Sequence, residues 1–188
     1  MEDYTSLAPR FTITPALSVT DLAAVEGLLK VYCETSIPPL PQTELGNLPG
    51  VYAAPTGALL LARSTAPDTL PLGIIGLKCP AYLPGDVCEM SRLYVAPAAR
   101  GTGLGKALVR ASFVEAKRLG YVAMRLGAFE SNGAALRLYE ACGFRRRERY
   151  KPKVFEGLVF FEIDLRDGGP GAMGKEMVEQ EVVAVAEG

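Results

Sequence analysis

The chain contains no histidine and no tryptophan among its 188 residues. The lack of histidine excludes a Ser-His-Asp triad, a Cys-His pair and the usual zinc sites, because each of them uses an imidazole. An acid or base in this protein must therefore be Asp, Glu, Tyr, Cys, Lys or a chain terminus. We expect no metal site.

Cysteine is scarce, and its four residues form no C-x-x-C pair. Cys33, Cys79, Cys88 and Cys142 are scattered, and a chain of this length does not need disulfides to hold a core together. We expect reduced thiols that behave as small buried apolar side chains, as is typical of a cytoplasmic protein.

Long apolar runs are also missing. No stretch of about 18 apolar residues occurs, and the opening MEDYTSLAPR contains no apolar signal region. These features predict a protein that neither spans a membrane nor is secreted, and we expect a cytoplasmic location.

The net charge is only −1, and no stripe of Lys and Arg interleaved with aromatic residues is present. Nucleic acid is therefore not an expected partner. Residues 167–188 hold five acids and one lysine, which leaves 19 basic and 16 acidic residues in 1–166. This excess suits a small anionic ligand. We predict a single domain over 1–166 and a flexible, Gly- and acid-rich tail over 167–188.

Hydrophobic periodicity predicts the element order β-α-α-β-β-β-α-β-α-β-β, with the second helix near Glu44. Ser18 and Asp21 resemble a capping box before the first helix, Pro97 ends the longest predicted strand, and Gly143 ends the last predicted helix. Helices placed between the later strands indicate an α/β or α+β sheet covered by helices.

The stretch RGTGLGKAL, beginning at Arg100, combines three glycines with a predicted helix start. Backbone N–H groups at such a turn are suited to binding a phosphate. A Walker A loop would need Gly at position 100, where the chain has Arg, and Ser or Thr at 107, where it has Ala. A dinucleotide fingerprint fails because the glycine spacing is G-x-G-x-G.

Three segments together, EMSRLYVAP, ARGTGLGKAL and NGAALRLYEACGF, resemble the GCN5-related N-acetyltransferase (GNAT) superfamily over residues 87–144. The resemblance implies a mixed sheet of six to seven strands flanked by about four helices. It also implies acetyl-CoA as co-substrate and direct transfer of the acetyl group, in a ternary complex, to a primary amine of a small molecule or peptide. Two rivals stay open: a non-catalytic acyl-CoA-binding or regulatory module of this fold, and an unrelated nucleotide-binding domain.

The resemblance assigns the coenzyme site to a loop and the strand before it. In the family, the glycine loop holds the diphosphate and the pantetheine arm pairs with the strand backbone. The matching residues in this chain are Leu93, Tyr94, Val95, Arg100, Gly101, Thr102, Gly103, Leu104, Gly105, Lys106, Asn132 and Tyr139.

Glu89 lies eleven residues before Arg100, the offset at which several family members carry a catalytic glutamate. Strand alternation would place Glu89, Ser91, Leu93 and Val95 on one face. Glu89 is thus either a general base or a structural carboxylate paired with an arginine such as Arg92 or Arg125. In some family members water chains do the work of a base.

Tyr139 in LYEACGF matches the family tyrosine proposed to protonate the leaving thiolate, and the alternative is an ordinary core tyrosine. Asn132 either hydrogen-bonds the pantetheine or merely caps its helix. An acetyl-cysteine route through Cys142 is disfavoured, because the chain has no histidine to activate the thiol.

The acceptor side is expected from residues 19–56 and 150–160, again by resemblance. The run RRRER at 145–149 either attracts an anionic acceptor or forms a solvated strand edge that deters edge pairing. The sequence does not identify the amine, and it is compatible with a monomer or a homodimer.

Overall fold

The computed structural model describes residues 11–36 and 42–166. The predicted tail, 167–188, lies outside the described residues. In chain order the elements are β1 (Phe11–Pro15), α1 (Val19–Thr35), β2 (Ala58–Ser64), β3 (Pro71–Lys78), β4 (Val87–Val95), α2 (Leu104–Arg118), β5 (Ala123–Phe129), α3 (Gly133–Ala141), β6 (Arg145–Arg147) and β7 (Leu158–Asp164).

The strands form one seven-stranded sheet in the order β1-β2-β3-β4-β5-β7-β6. All neighbours run antiparallel except β4 and β5, which are parallel. A mixed sheet of six to seven strands was expected, and this expectation is confirmed. The single parallel pair arises because α2 carries the chain from the end of β4 back to the start of β5.

Three α-helices are present in the described residues, not about four, because the helix expected near Glu44 does not form. The chain there makes turns and a single 3₁₀ turn, Gly50–Tyr52. Gly46 and Gly50 both have positive φ, 75° and 47°, a conformation that interrupts an α-helix.

The helices divide the core into two parts, one on each face of the sheet. On one face α2 and α3 cover a cluster that includes Leu104, Leu108 and Phe161. On the other face α1 covers a smaller cluster that includes Leu29 and Ile74. The sheet is therefore buried on both sides at its centre, which explains why its middle strands are nearly continuous apolar runs.

Strands β4 and β5 pair only at their beginnings, where residues 87–89 lie beside residues 123–125. Beyond this point β4 stays with β3, and β5 pairs along its whole length with β7. Residues 90–95 have no strand partner on the β5 side among the described residues. The sheet therefore opens into a split between its two halves, and the rest of β4 presents a free backbone edge to it.

A bulge in β4 makes the expected alternation wrong. Arg92 has φ 58°, and the register against β3 shifts here, since Ile74 pairs with Tyr94 and Gly76 pairs with Ser91. One additional residue reverses the faces of the strand beyond it. As a result Glu89 and Ser91 do not share a face with Leu93 and Val95: the latter two pack against the α2 side of the core.

Arg92 is held in this unusual conformation by Glu44 from the turn segment. Its Nε and one terminal nitrogen each donate to a different carboxylate oxygen of Glu44, both at 2.9 Å. The Tyr52 hydroxyl also donates to Glu44, at 2.9 Å. Burial by itself would raise the pKa of Glu44, but the hydrogen bond and charge of Arg92 outweigh it and hold the pKa below its usual value.

The substitution Glu44→Gln is expected to destabilise the protein by about 1–3 kcal/mol at pH 7, because it leaves a half-buried guanidinium without its counter-ion. The folded-state pKa of Glu44 is depressed, so its stabilisation is complete above the unfolded pKa of about 4.3 and disappears as the pH falls through the folded value. The difference in unfolding free energy between wild type and variant should therefore shrink below about pH 4.

Urea titrations between pH 3 and 7 measure this difference. The control is Glu130→Gln, which removes an exposed ion pair with Arg146 and should leave the stability nearly unchanged. A Glu44→Gln deficit that stays constant down to pH 3 would contradict the assigned role of the ion pair.

Candidate active site

A cavity of about 730 Å³ lies where β4 ends and α2 begins. We call it the larger cavity. Its walls come from the end of α1, the end of β4, the glycine loop (residues 100–105) and the start of α3. The larger cavity is lined by most of the residues that were predicted to bind the coenzyme. These are Leu93, Tyr94, Val95, Arg100, Gly101, Gly103, Leu104, Gly105 and Asn132. Thr102, Lys106 and Tyr139 do not line it.

Helix α2 begins at this cavity without a side-chain cap. Gly103 occupies its N-cap position with φ 87°, and within the described residues no side-chain cap hydrogen bond is made there. The other two α-helices described are capped, α1 by Ser18 and α3 by Asn132. The open N-terminus of α2, with no acid in its first turn, therefore leaves backbone donors and a partial positive charge for a ligand.

The glycines of the loop serve different purposes. Gly101 and Gly103 have positive φ, 76° and 87°, and a Cβ at either would meet nothing within 4 Å. Their requirement is the left-handed backbone, and the space beside them is open. Gly105 is an ordinary helical residue, where a Cβ would lie 3.4 Å from Leu138 of α3. It allows the two helices to pack closely.

The polar residues of the loop hold its shape. Nε of Arg100 donates to the Val95 carbonyl at 3.2 Å, which ties the loop to the end of β4. The Thr102 hydroxyl donates to the Ala99 carbonyl at 2.7 Å, while Lys106 is exposed in the first turn of α2.

A second cavity of about 340 Å³, the smaller cavity, occupies the split between β4 and β5. It adjoins the larger cavity, because Tyr32, Leu93 and Asn132 line both. One of its walls is the segment that connects β6 to β7, residues 148–157, which contributes Lys151, Lys153 and Phe155. An extended ligand in the larger cavity could thus meet a second ligand in the smaller one.

Tyr139 of α3 lines the smaller cavity and also belongs to the core. Its ring packs edge-on against Phe144, with centroids 5.9 Å apart, and against Phe161 at 6.2 Å. Burial raises the pKa of the phenol, so the group stays protonated at neutral pH. The core interpretation is therefore confirmed for this residue, and its role as proton donor stays a prediction.

Glu89 is almost fully buried, with 1% of its surface exposed, and it lines the smaller cavity. Its Oε2 accepts from the hydroxyls of Tyr82 and Tyr150, each at 3.0 Å. Its Oε1 accepts from Lys151 Nζ at 3.1 Å and lies 3.6 Å from Lys78 Nζ. A carboxylate offers about four lone-pair positions, and four donors surround this one.

The comparisons with known proteins agree with this geometry. Residues 29–144, more than half of the chain, match the model of the acetyltransferase (GNAT) family. An uncharacterized N-acetyltransferase of Schizosaccharomyces pombe is 34% identical over 122 residues, which cover 65% of this chain and 72% of that protein. The chain belongs to the GNAT acetyltransferase family.

Solved structures show the same fold. A GNAT-family acetyltransferase of Staphylococcus aureus superposes with a TM-score of 0.69 at 19% identity, covering 83% of this chain and 99% of that one. A Salmonella typhimurium structure solved with its cofactor acetyl-CoA gives a TM-score of 0.62 at 22% identity, covering 84% and 95%. At these identities the likeness concerns the fold.

Several expectations for this GNAT site need correction or addition. The arginines expected beside Glu89 are wrong, because Arg92 pairs with Glu44 and Arg125 pairs with Glu162. The lysine partner Lys78 lies directly opposite Glu89 in the β3–β4 register, a neighbour that a hairpin alignment could have found. Tyr150 and Lys151 come from an irregular segment some 60 residues away, and no periodicity could place them there.

Tyr32 is a lining residue that the sequence did not single out, although it lies within the segment 19–56 expected on the acceptor side. It lies on the apolar side of α1, lines both cavities, and its ring centroid is 5.7 Å from that of Tyr94. Asn132 caps α3 by accepting from the Ala135 N–H at 3.2 Å and also lines both cavities. Capping is thus confirmed for Asn132, and the pantetheine contact stays a prediction.

The remaining candidates lie outside both cavities. Cys142 is half-buried at the end of α3, where burial raises the pKa of its thiol. In the RRRER run, Arg146 and Arg147 pair with Glu130 and Glu162, while Arg149 donates to two backbone carbonyls. These arginines act as a paired, solvated edge and do not line either cavity.

The described part of the chain offers neither a membrane-spanning helix nor a metal-binding cluster of side chains. No helix there is both long enough and apolar enough to cross a bilayer. Within the same residues, no group of three or more acidic, cysteine or histidine side chains is placed to bind a metal ion.

Proposed function

We propose that this GNAT-family protein transfers the acetyl group of acetyl-CoA to a primary amine of a small molecule or peptide, by direct attack in a ternary complex. The observation that carries the proposal is the uncapped N-terminus of α2, which directly follows the glycine loop and lines the larger cavity together with it. That cavity adjoins a second one lined by Tyr139, so two substrates could meet there.

The residues fit the diphosphate of the coenzyme. The N–H groups of the first turn of α2 supply donors, and the helix dipole favours an anion by about 0.3–1 kcal/mol at an exposed position. Arg100, Gly101 and Gly103 line the approach, and the open space beside Gly103 leaves room for a phosphate. Thr102 supports the loop, and Lys106 adds a positive charge near it.

The pantetheine arm would run along the free edge of β4. Residues 90–95 have no partner on the β5 side among the described residues, so their backbone groups can bond the amides of an extended arm. Leu93, Tyr94 and Val95 line the larger cavity at this edge. A backbone N–H near Leu93 is the proposed donor to the oxyanion formed at the thioester carbonyl.

Tyr139 is the proposed proton donor to the departing thiolate. Its phenol is protonated at neutral pH even at the ordinary pKa of about 10, and burial raises that pKa further. It lines the cavity in which the acetyl group would meet the amine. No histidine exists in the chain to take this role. A phenol next to a leaving thiolate is a suitable general acid.

Glu89 is the proposed anchor of the acceptor side, rather than the group that takes the amine's proton directly. Its carboxylate already accepts three hydrogen bonds and lies 3.6 Å from Lys78 Nζ, which disfavours direct contact with an incoming amine. Its bonds to Tyr150 and Lys151 fix the 148–157 segment against β4. The role of general base stays an alternative with a distinct pH profile.

The rival function is a non-catalytic acyl-CoA-binding module. It would need the larger cavity but not an adjoining acceptor cavity with a protonated phenol on its wall. A panel of primary amines, assayed by release of free CoA thiol, separates the two: amine-dependent release supports the enzyme. CoA binding without amine-dependent release from any of them would support the binding module.

Substituting Gly103→Val should weaken acetyl-CoA binding by at least about tenfold, or ~1.4 kcal/mol, because the new side chain would occupy the space proposed for a phosphate. The control is Gly120→Val at the other end of α2, where φ is 89° and a Cβ also meets nothing within 4 Å. Both variants carry the same backbone strain. The acetyl-CoA dissociation constants of both variants are measured by calorimetric titration. Equal values would contradict the assignment of the glycine loop to the coenzyme site.

The substitution Tyr139→Phe should lower kcat by about 10- to 100-fold, or ~1.4–3 kcal/mol of barrier, with little change in acetyl-CoA affinity. Only the hydroxyl is lost, and the ring keeps its contacts with Phe144 and Phe161. Tyr121→Phe removes a buried hydroxyl that donates to the Thr56 carbonyl and does not line either cavity, so it controls for loss of stability. Turnover that is unchanged in Tyr139→Phe, with chemistry rate-limiting, would leave solvent as the acid.

The substitution Glu89→Gln should reduce kcat/KM by a similar factor at every pH between 6 and 9, because an anchor acts through the position of its neighbours. A general base would give a different result: a deficit at low pH that recovers as the amine loses its own proton. The pH profile of kcat/KM for wild type and variant distinguishes the roles, and recovery toward pH 9 would assign the base to Glu89.

A further inference from the structure

We infer that the acceptor is an amine that also carries an anionic group, a carboxylate or a phosphate, rather than a polyamine or a lysine side chain. The inference rests on the proposed acetyl transfer and names its acceptor class. It comes from the charges around the smaller cavity. The charged residues that line this cavity are Lys78, Glu89, Arg92, Lys151 and Lys153.

The acids near this cavity do not balance its cations. Among the described residues Glu89 is the only acid on its wall, and it is shared between Lys78 and Lys151. Glu44, which does not itself line the cavity, neutralises the charge of Arg92. Lys153 is exposed on the cavity wall and forms no ion pair within the described residues. With Glu44 included, four cations face two carboxylates, and the cavity has an excess of two positive charges.

This excess has two consequences for an incoming amine. A positive environment disfavours the ammonium form and so lowers the pKa of the bound amine, which helps to provide the neutral nucleophile without a dedicated base. It also repels any additional cationic group and attracts an anionic one. Polyamines and basic peptide segments are therefore poor acceptors, and an amine with an anionic group is favoured.

The size and walls of the cavity match a small acceptor of this type. A volume of about 340 Å³ is at the lower end of the range for small-molecule sites. Apolar side chains of Leu126, Phe129, Phe155 and Leu158 form the wall that is not charged. An amino-acid-sized molecule could place its apolar part there and its anionic group near Lys153.

Binding of analogues that lack the amine tests the charge preference without relying on turnover. Calorimetry at saturating CoA compares 3-phenylpropionate with 3-phenylpropionamide, which share a shape but not a charge, and with 2-phenylethyl phosphate. We expect the two anions to bind at least about tenfold more tightly than the amide, with a preference that weakens as salt is added. The two anions distinguish a carboxylate site from a phosphate site. Equal binding of amide and anions, or binding of none, overturns the inference.

A charge variant locates the effect. Lys153→Gln should weaken binding of the preferred anion by about three- to fivefold, as expected for an exposed charge. Lys153→Arg should retain the affinity. Lys30→Gln removes an exposed lysine of α1 that lines neither cavity, and it should bind as wild type does. Equal losses in Lys153→Gln and Lys30→Gln would indicate a long-range effect of net charge and would overturn the local assignment.

Kinetics with matched acceptors separates this inference from the proposed function. Thiol release is measured with ethanolamine, O-phosphoethanolamine, phenethylamine, phenylalanine and spermidine, each at a pH that gives equal fractions of neutral amine. Higher kcat/KM for the anionic member of each pair supports the inference. Turnover that is fastest with spermidine overturns it and leaves acetyl transfer intact. Release with none of the amines counts against the proposed function itself.

Discussion

The site depends on one departure from regular sheet structure: β4 leaves β5 after Glu89 and bulges at Arg92. The split creates the smaller cavity and frees the backbone edge of residues 90–95. The bulge then directs Leu93 and Val95 to the α2 side of the sheet and Tyr94 to the α1 side. A non-glycine residue at positive φ costs roughly 1–3 kcal/mol, so it persists only where its surroundings fix it. Here the bidentate pair with Glu44 does so.

Glu89 shows how the two halves of the split are joined. Glu89 is the last residue of β4 that pairs with β5, and its donors come from β3, the turn after it and the 148–157 segment. Burying a carboxylate costs folding free energy unless its charge and lone pairs are satisfied. The hydrogen bonds that satisfy Glu89 also hold the 148–157 segment against β4. In the proposed function, stability and acceptor geometry therefore both depend on Glu89, and the lysines that neutralise it also contribute to the positive charge of the cavity.

The first turn of α2 differs from Glu89, because within the described residues its backbone N–H groups have no side-chain cap. Both other helices described have capped N-termini, whereas α2 has a glycine with φ 87° and open space beside it. The structural cost of an uncapped helix is about 1 kcal/mol, and it is offset where a ligand supplies the missing acceptor. An open helix end beside a cavity is therefore what the proposed coenzyme site requires.

The sequence by itself determined the fold class and the seven strands, because these depend on periodicity. It also proposed the glycine loop and Tyr139 as site residues, from the glycine spacing and the run LYEACGF. It also excluded histidine chemistry outright. Only the tertiary structure decided which residues surround Glu89, which face Leu93 and Val95 occupy, and which cations line the smaller cavity. The physical reason is that the bulge at Arg92 is fixed by Glu44, 48 residues away, and that Tyr150 and Lys151 reach Glu89 from an irregular segment more than 60 residues distant. Contacts between such separated segments leave no periodic trace, whereas the helices and strands that bring them together do.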